Sequence, residues 1–201
     1  MTLDTQDLEK RNAQAAIIDC LQRFSLQQFT NFAADAKMLD LDRKMDLSND
    51  HWVASVLLSV SKAQVLLRVH FSSAVGRAIL AESSQEDPRS IQPTSAHDFL
   101  KEFCNVVMGR VKGILTTNAG TEEARKVFLP SIEPSFDRFG VVPDVKDAAI
   151  GQRWWRVQWA GGEVVIFGRA TASQGFTDEA LQSLAKENIV SLDDAGDIDF
   201  F

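Results

Sequence analysis

The strongest constraint on what this chain can fold into is a run of two-residue alternation across positions 52–71. Trp52, Ala54, Val56, Leu58 and Val60 alternate with Val53, Ser55, Leu57 and Ser59. After the polar turn Ser61–Gln64, Val65, Leu67, Val69 and Phe71 alternate with Leu66, Arg68 and His70. Successive strand side chains point to opposite faces, so this pattern on both sides of a short connection predicts an antiparallel hairpin with one buried face. A second hairpin is expected downstream. There Arg153, Trp155, Val157 and Trp159 alternate with Gln152, Trp154, Arg156 and Gln158, Ala160-Gly161-Gly162 makes the turn, and Glu163–Thr171 is rich in Val, Ile and Phe.

Two long helices are available to cover that apolar face. Residues 6–33 carry Ile17, Ile18, Leu21, Phe24, Leu26 and Phe29 at helical spacing, with Asp4 or Thr5 as the cap. Over Ser95–Asn118, Leu100, Phe103, Cys104, Val107, Val111, Ile114 and Leu115 gather on one wide apolar face, with Thr94 or Ser95 as the cap. Ser72 or Ser73 caps a short helix over Ala74–Glu82. Ala36–Met45 reads as an edge strand, Glu122–Leu129 as a helical turn, and Ser131–Phe139 as a strand bent or placed at an edge by Pro134. The order predicts an α+β fold: an antiparallel sheet packing one face against two long helices.

Composition narrows the function. The chain has 201 residues, 45% hydrophobic and 24% charged, as expected for a soluble globular protein. Twenty-eight acids against twenty-one Lys and Arg give a net charge of −7, which argues against nucleic acid as a partner. No apolar run approaches the roughly 20 residues of a membrane helix, and the polar start MTLDTQDLEK is unlike a signal peptide. Cys20 and Cys104 sit in helical patterns as small core residues, so a cytoplasmic protein is expected. His51, His70 and His97 form no metal-ligand spacing, and there is no nucleophile-elbow or phosphate-cradling glycine motif.

The face of Ser95–Asn118 opposite the core seam carries the chemistry. Asp98, Glu102, Asn105, Gly109, Lys112 and Thr116 share it. A glycine inside an exposed helix costs about 1 kcal/mol against alanine, so Gly109 makes sense where something must approach the backbone. One turn earlier, Glu102 and Asn105 stand at i and i+3 and point the same way.

The grouping Glu102-x-x-Asn105-x-x-x-Gly109 resembles the signature helix of the CheC/CheX family of chemotaxis phosphatases. The resemblance spans roughly residues 10–172 and is closest in element order to the CheX branch, which has one motif helix. It implies hydrolysis of the aspartyl-phosphate of a CheY-like response regulator. Asn105 would orient the attacking water, Glu102 would pair with the receiver's active-site lysine, and Gly109 would let the receiver close in. Asp98 and Lys112 would flank the contact, with Phe99, Val106 and Met108 as an apolar rim; ordinary packing beside the seam is the alternative for these three. No cofactor of its own is implied, since the divalent magnesium belongs to the receiver. A non-catalytic receiver-binding scaffold with the same fold is the alternative function.

Other expectations concern assembly and the ends. Glu9 and Asn12 repeat the E-x-x-N spacing, as in family members with two sites, but the following position is Ala16 rather than glycine. The CheX branch pairs through its sheets, and Trp154, on the face away from Trp155 and Trp159, is a candidate anchor for a homodimer, with covering by the C-terminal helix as the alternative. Residues 1–172 are expected to form the phosphatase-like domain. Residues 173–201 add a helix over Phe176–Glu187 and the acidic tail LDDAGDIDFF, which either grips the receiver or folds back on the domain.

Overall fold

A computed structural model describes residues 5–41, 50–60, 63–117, 126–127, 131–134 and 151–173. The chain begins with helix α1 (Thr5–Thr30) and continues through β1 (Lys37–Asp40), β2 (Trp52–Val60) and β3 (Ala63–Phe71). Helices α2 (Ser73–Ser84) and α3 (Pro93–Thr117) follow, then β4 (Lys126–Val127), β5 (Ser131–Pro134), β6 (Gln152–Trp159) and β7 (Gly162–Ala172). All pairings are antiparallel, in the order β1-β6-β7-β3-β2-β4, with β5 also on the outer edge of β2.

Both hairpins form as their alternation requires. In the first, pairing runs from Trp52↔Phe71 to Val60↔Ala63, so Ala63 and Gln64 join the ladder and the connection is shorter than the four residues expected. Ala63 is buried, which draws it into the strand. Pro134 ends β5 opposite Trp52, on an edge where its missing N–H breaks no ladder. The helical turn expected over Glu122–Leu129 is overturned at its centre. Lys126 and Val127 pair with Ser59 and Leu58, because the free edge of β2 offers unpaired backbone groups to a β-branched residue.

The core lies between one sheet face and the helices. Ile17, Leu21, Phe29, Val56, Leu67, Phe103, Val107, Trp155, Val157 and Ile166 are fully or almost fully buried there. Burying each such side chain stabilises the fold by about 1.5–3 kcal/mol before entropy is counted. Phe29 joins three elements, lying 4.7 Å from the Phe103 ring on α3 and 5.9 Å from Trp159 on β6. Gly168 is bare because a Cβ there would come within 3.0 Å of the Trp155 ring and 3.1 Å of Leu21.

Tertiary caps fix the short helix. The Ser72 hydroxyl accepts from the Val75 amide at 3.2 Å, and the Asp50 carboxylate accepts from the Ser73 amide at 2.7 Å and from Trp52 Nε1 at 3.0 Å. Burial works to raise the Asp50 pKa, but the bonds from Ser73 and Trp52 and the nearby Arg77 charge hold it below the ordinary value. The Trp52 ring in turn packs against His97 at 4.4 Å, which fixes the first turns of α3.

Trp155 and Trp159 are buried on the helix side, as their parity requires. Trp154 faces the other way but is only half-exposed, packed against His70 at 5.3 Å and Phe167 at 4.6 Å. Residues 174–201, including the expected C-terminal helix and tail, lie outside the described residues.

Candidate functional site: the outward face of the third helix

Helix α3 starts two residues earlier than Ser95 because Pro93, with its fixed φ and no N–H, suits the first helical position. Gln92 therefore takes the start position expected of Thr94 or Ser95, and its carbonyl accepts from the Ser95 amide at 3.1 Å. Burial follows the two faces. Leu100, Phe103, Cys104, Val107 and Val111 are buried, whereas Asp98, Glu102 and Gly109 are exposed and Asn105, Val106 and Lys112 half-buried. Burial also pushes the Cys104 thiol up, so it is an inert core residue.

On the outward face, Asn105 Nδ2 donates to Glu102 Oε2 at 3.2 Å. The bond uses the amide's donor side and presents Oδ1, an acceptor, to whatever approaches. A Cβ on Gly109 would meet nothing within 4 Å, so the helix backbone is open there. Gly113 has the same open space one turn further on, and Thr116 Oγ1 donates to its carbonyl at 2.9 Å. Sequence reading singled out Gly109 alone, although the i+4 spacing of Gly113 on the same face was the available signal.

At the start of the face, Asp98 is held by Lys101 at 2.7 Å in a solvent-exposed i,i+3 pair. Such pairs contribute well under 1 kcal/mol, so Asp98 remains able to exchange partners. His97 has its pKa lowered by burial first and by the Lys101 charge second, with Asp98 and Asp50 opposing. A neutral imidazole beside Trp52 is therefore part of the packing.

The expected apolar rim needs a correction. Met108 is 1% exposed and belongs to the core, because it lies four residues after Cys104 and three before Val111 on the same seam. Phe99 is half-buried and packs edge-on against Phe32 of α1 at 4.7 Å. Of the three, Val106 stands at the border of the outward face without joining the core cluster.

The second E-x-x-N does not reproduce this geometry. Glu9 and Asn12 are exposed on the first turns of α1, but Ala16, in the position of Gly109, packs against the core. No cluster of three metal-ligating side chains occurs among the described residues. Nor is any described helix long and apolar enough to cross a membrane.

Among the described residues, a seven-stranded antiparallel sheet is covered by α1 and α3, and α3 presents an acid, an amide and open glycines outward. Known structures agree with that fold. CheX from Vibrio vulnificus is similar at 12% identity with a TM-score of 0.56, covering 77% of this chain and 98% of that one. A CheC-like chemotactic protein from Shewanella oneidensis MR-1 is similar at 16% identity and 0.56, covering 77% and 97%. A CheC-like superfamily protein from Shewanella sp. PV-4 is similar at 16% and 0.55, covering 78% and 98%. The chain thus has the fold of the CheX and CheC-like chemotaxis proteins, as the motif helix led one to expect. No family model matches its sequence, and no curated protein does.

Proposed function

We propose that this chain is a phosphatase for the aspartyl-phosphate of a CheY-like response regulator, working in chemotaxis or two-component signalling. The observation that carries the proposal is the Glu102–Asn105 pair on an exposed helix face directly before the open backbone of Gly109. An acyl phosphate is already activated, so a partner need only place water in line with phosphorus. Asn105 Oδ1 accepts a hydrogen bond from that water and turns its lone pair toward phosphorus. The new O–P bond forms as the bond to the receiver's aspartyl oxygen breaks. The products are inorganic phosphate and a free carboxylate. Neither residue has to change its charge, so no tuned pKa is needed.

Glu102 leaves Asn105 to pair with the receiver's lysine and set the register, while Asp98, Val106 and Lys112 border the contact. The magnesium is supplied by the receiver. The reading places the protein in the cytoplasm with its receiver.

Phosphate release from a phosphorylated CheY-like receiver, with and without the protein, tests the proposal. Acceleration that vanishes in Asn105→Ala supports it. Binding of the phospho-receiver without acceleration favours a scaffold instead. The expected homodimer is a separate matter, decided by mass from light scattering at high micromolar concentration.

A further inference from the structure

The sheet has a second face, turned away from the helices and from the motif on α3. Its residues are Val53 and Leu57 of β2, Leu66, Arg68 and His70 of β3, Val165, Phe167 and Arg169 of β7, and Trp154 of β6. Rings run across it in a continuous line: His51 to His70 at 5.1 Å, His70 to Trp154 at 5.3 Å and Trp154 to Phe167 at 4.6 Å. Leu66 and Phe167 are each only 9% exposed, although the core packs on the opposite side. Two cations flank this apolar strip on neighbouring strands, since Arg68 pairs with Phe167 and Arg169 with Leu66 in the β3–β7 register. Both are exposed, and neither makes an ion pair among the described residues, whereas Arg153 binds Asp19 and Arg156 binds Glu163.

We propose that this face is the docking surface for the chain's own residues 174–201, held against Arg68 and Arg169 by charge and against Leu66, Trp154 and Phe167 by apolar contact. Charge complementarity selects this occupant. Residues 174–201 contain Asp178, Glu179, Glu187, Asp193, Asp194, Asp197 and Asp199 against the single Lys186, so they hold nearly all of the chain's net charge of −7. They also supply Phe176, Leu181, Leu184, Phe200 and Phe201 for the ring line. The segment follows directly from β7, the strand that carries Phe167 and Arg169, so loop closure costs little and the local concentration is high. A second copy fits worse, because a two-fold contact through this face would set arginines against arginines. The receiver is expected on the other side of the molecule, at Asn105.

Cleavage of the full-length protein at Lys186 by a lysine-specific protease, followed by mass spectrometry, tests the proposal. Slow cleavage is expected in the wild type. It should rise about tenfold or more in Arg68→Glu/Arg169→Glu, and on raising salt from roughly 0.05 to 0.5 M, because exposed charge pairs are screened. Substituting Asp193, Asp194, Asp197 and Asp199 together by Asn leaves the sheet untouched and should speed cleavage likewise. Replacing the same four by Arg, which adds no site for the protease, in the arginine-reversed protein should restore slow cleavage. Equal rates in all these proteins would overturn the proposal. So would a wild-type dimer that the arginine reversal converts to a monomer with no change in cleavage, which would assign the face to a second copy. A loss of receiver affinity on deleting residues 193–201, with cleavage at Lys186 unchanged, would assign the tail to the receiver.

Discussion

Phe103 and Asn105 stand two positions apart on α3 and face opposite directions. The Phe103 ring meets Phe29 of α1 at 4.7 Å in the core, while the Asn105 amide lies on the outward side with Glu102. One helix is thus a structural seam on one side and a chemical surface on the other. The surface can be altered without disturbing the seam.

Asn105→Ala is therefore expected to abolish the acceleration of receiver dephosphorylation while the melting temperature stays within a degree or two of wild type, since surface changes are usually within about 0.5 kcal/mol. Asn12→Ala is the control and should leave the rate unchanged, because Ala16 closes the backbone beside it. Single-turnover phosphate release with thermal melts of both variants checks this. Wild-type turnover by Asn105→Ala would remove the catalytic role.

Glu102→Ala should act chiefly on binding. Losing a charge-assisted contact costs about 1–3 kcal/mol, so the apparent KM for phospho-receiver should rise roughly 5- to 150-fold. The rate at saturation should fall much less, because Asn105 remains. A drop in kcat with unchanged KM would show instead that Glu102 positions Asn105 in the reacting complex.

Gly109 separates stability from function most cleanly. Its Cβ position is open, so Gly109→Ala should stabilise the helix by up to about 1 kcal/mol. A larger side chain, as in Gly109→Leu, should be equally compatible with the fold yet block close approach of the receiver. Denaturant unfolding together with receiver titration checks both. A Gly109→Leu protein with full receiver affinity would show that nothing closes on that turn.

His70 gives the fold a pH dependence. Its Nδ1 lies 2.9 Å from His51 Nε2, and burial, then the His51 and Arg68 charges, push its pKa down to about 3 from the ordinary 6.5. The unfolded chain binds a proton in that window and the folded chain does not. This contribution to stability is therefore full above about pH 6.5 and is lost as pH falls toward 3, by up to about 1.4 kcal/mol per unit. His70→Gln should flatten the decline of melting temperature between pH 6.5 and 4. An unchanged slope in the variant would place the titrating group elsewhere.

Local periodicity determined much of this protein. Alternation fixed the two hairpins, and the 3.6-residue spacing of α3 divided its core seam from the Glu102–Asn105–Gly109 face. Both are properties of neighbouring residues, and a strand or helix repeats them wherever it packs. Partners distant in sequence were settled only in three dimensions. Lys37 meets Gln158, Lys126 meets Ser59, Asp50 caps the helix that begins at Ser73, and His51 meets His70. Met108 and Trp154 belong to this second kind as well. Met108 lies at the border of its helix face and Trp154 on the sheet face turned from the helices, and either residue type is compatible with core or surface. The choice fell to neighbours that the sequence does not place beside them: the surrounding core for Met108, and His70 and Phe167 for Trp154.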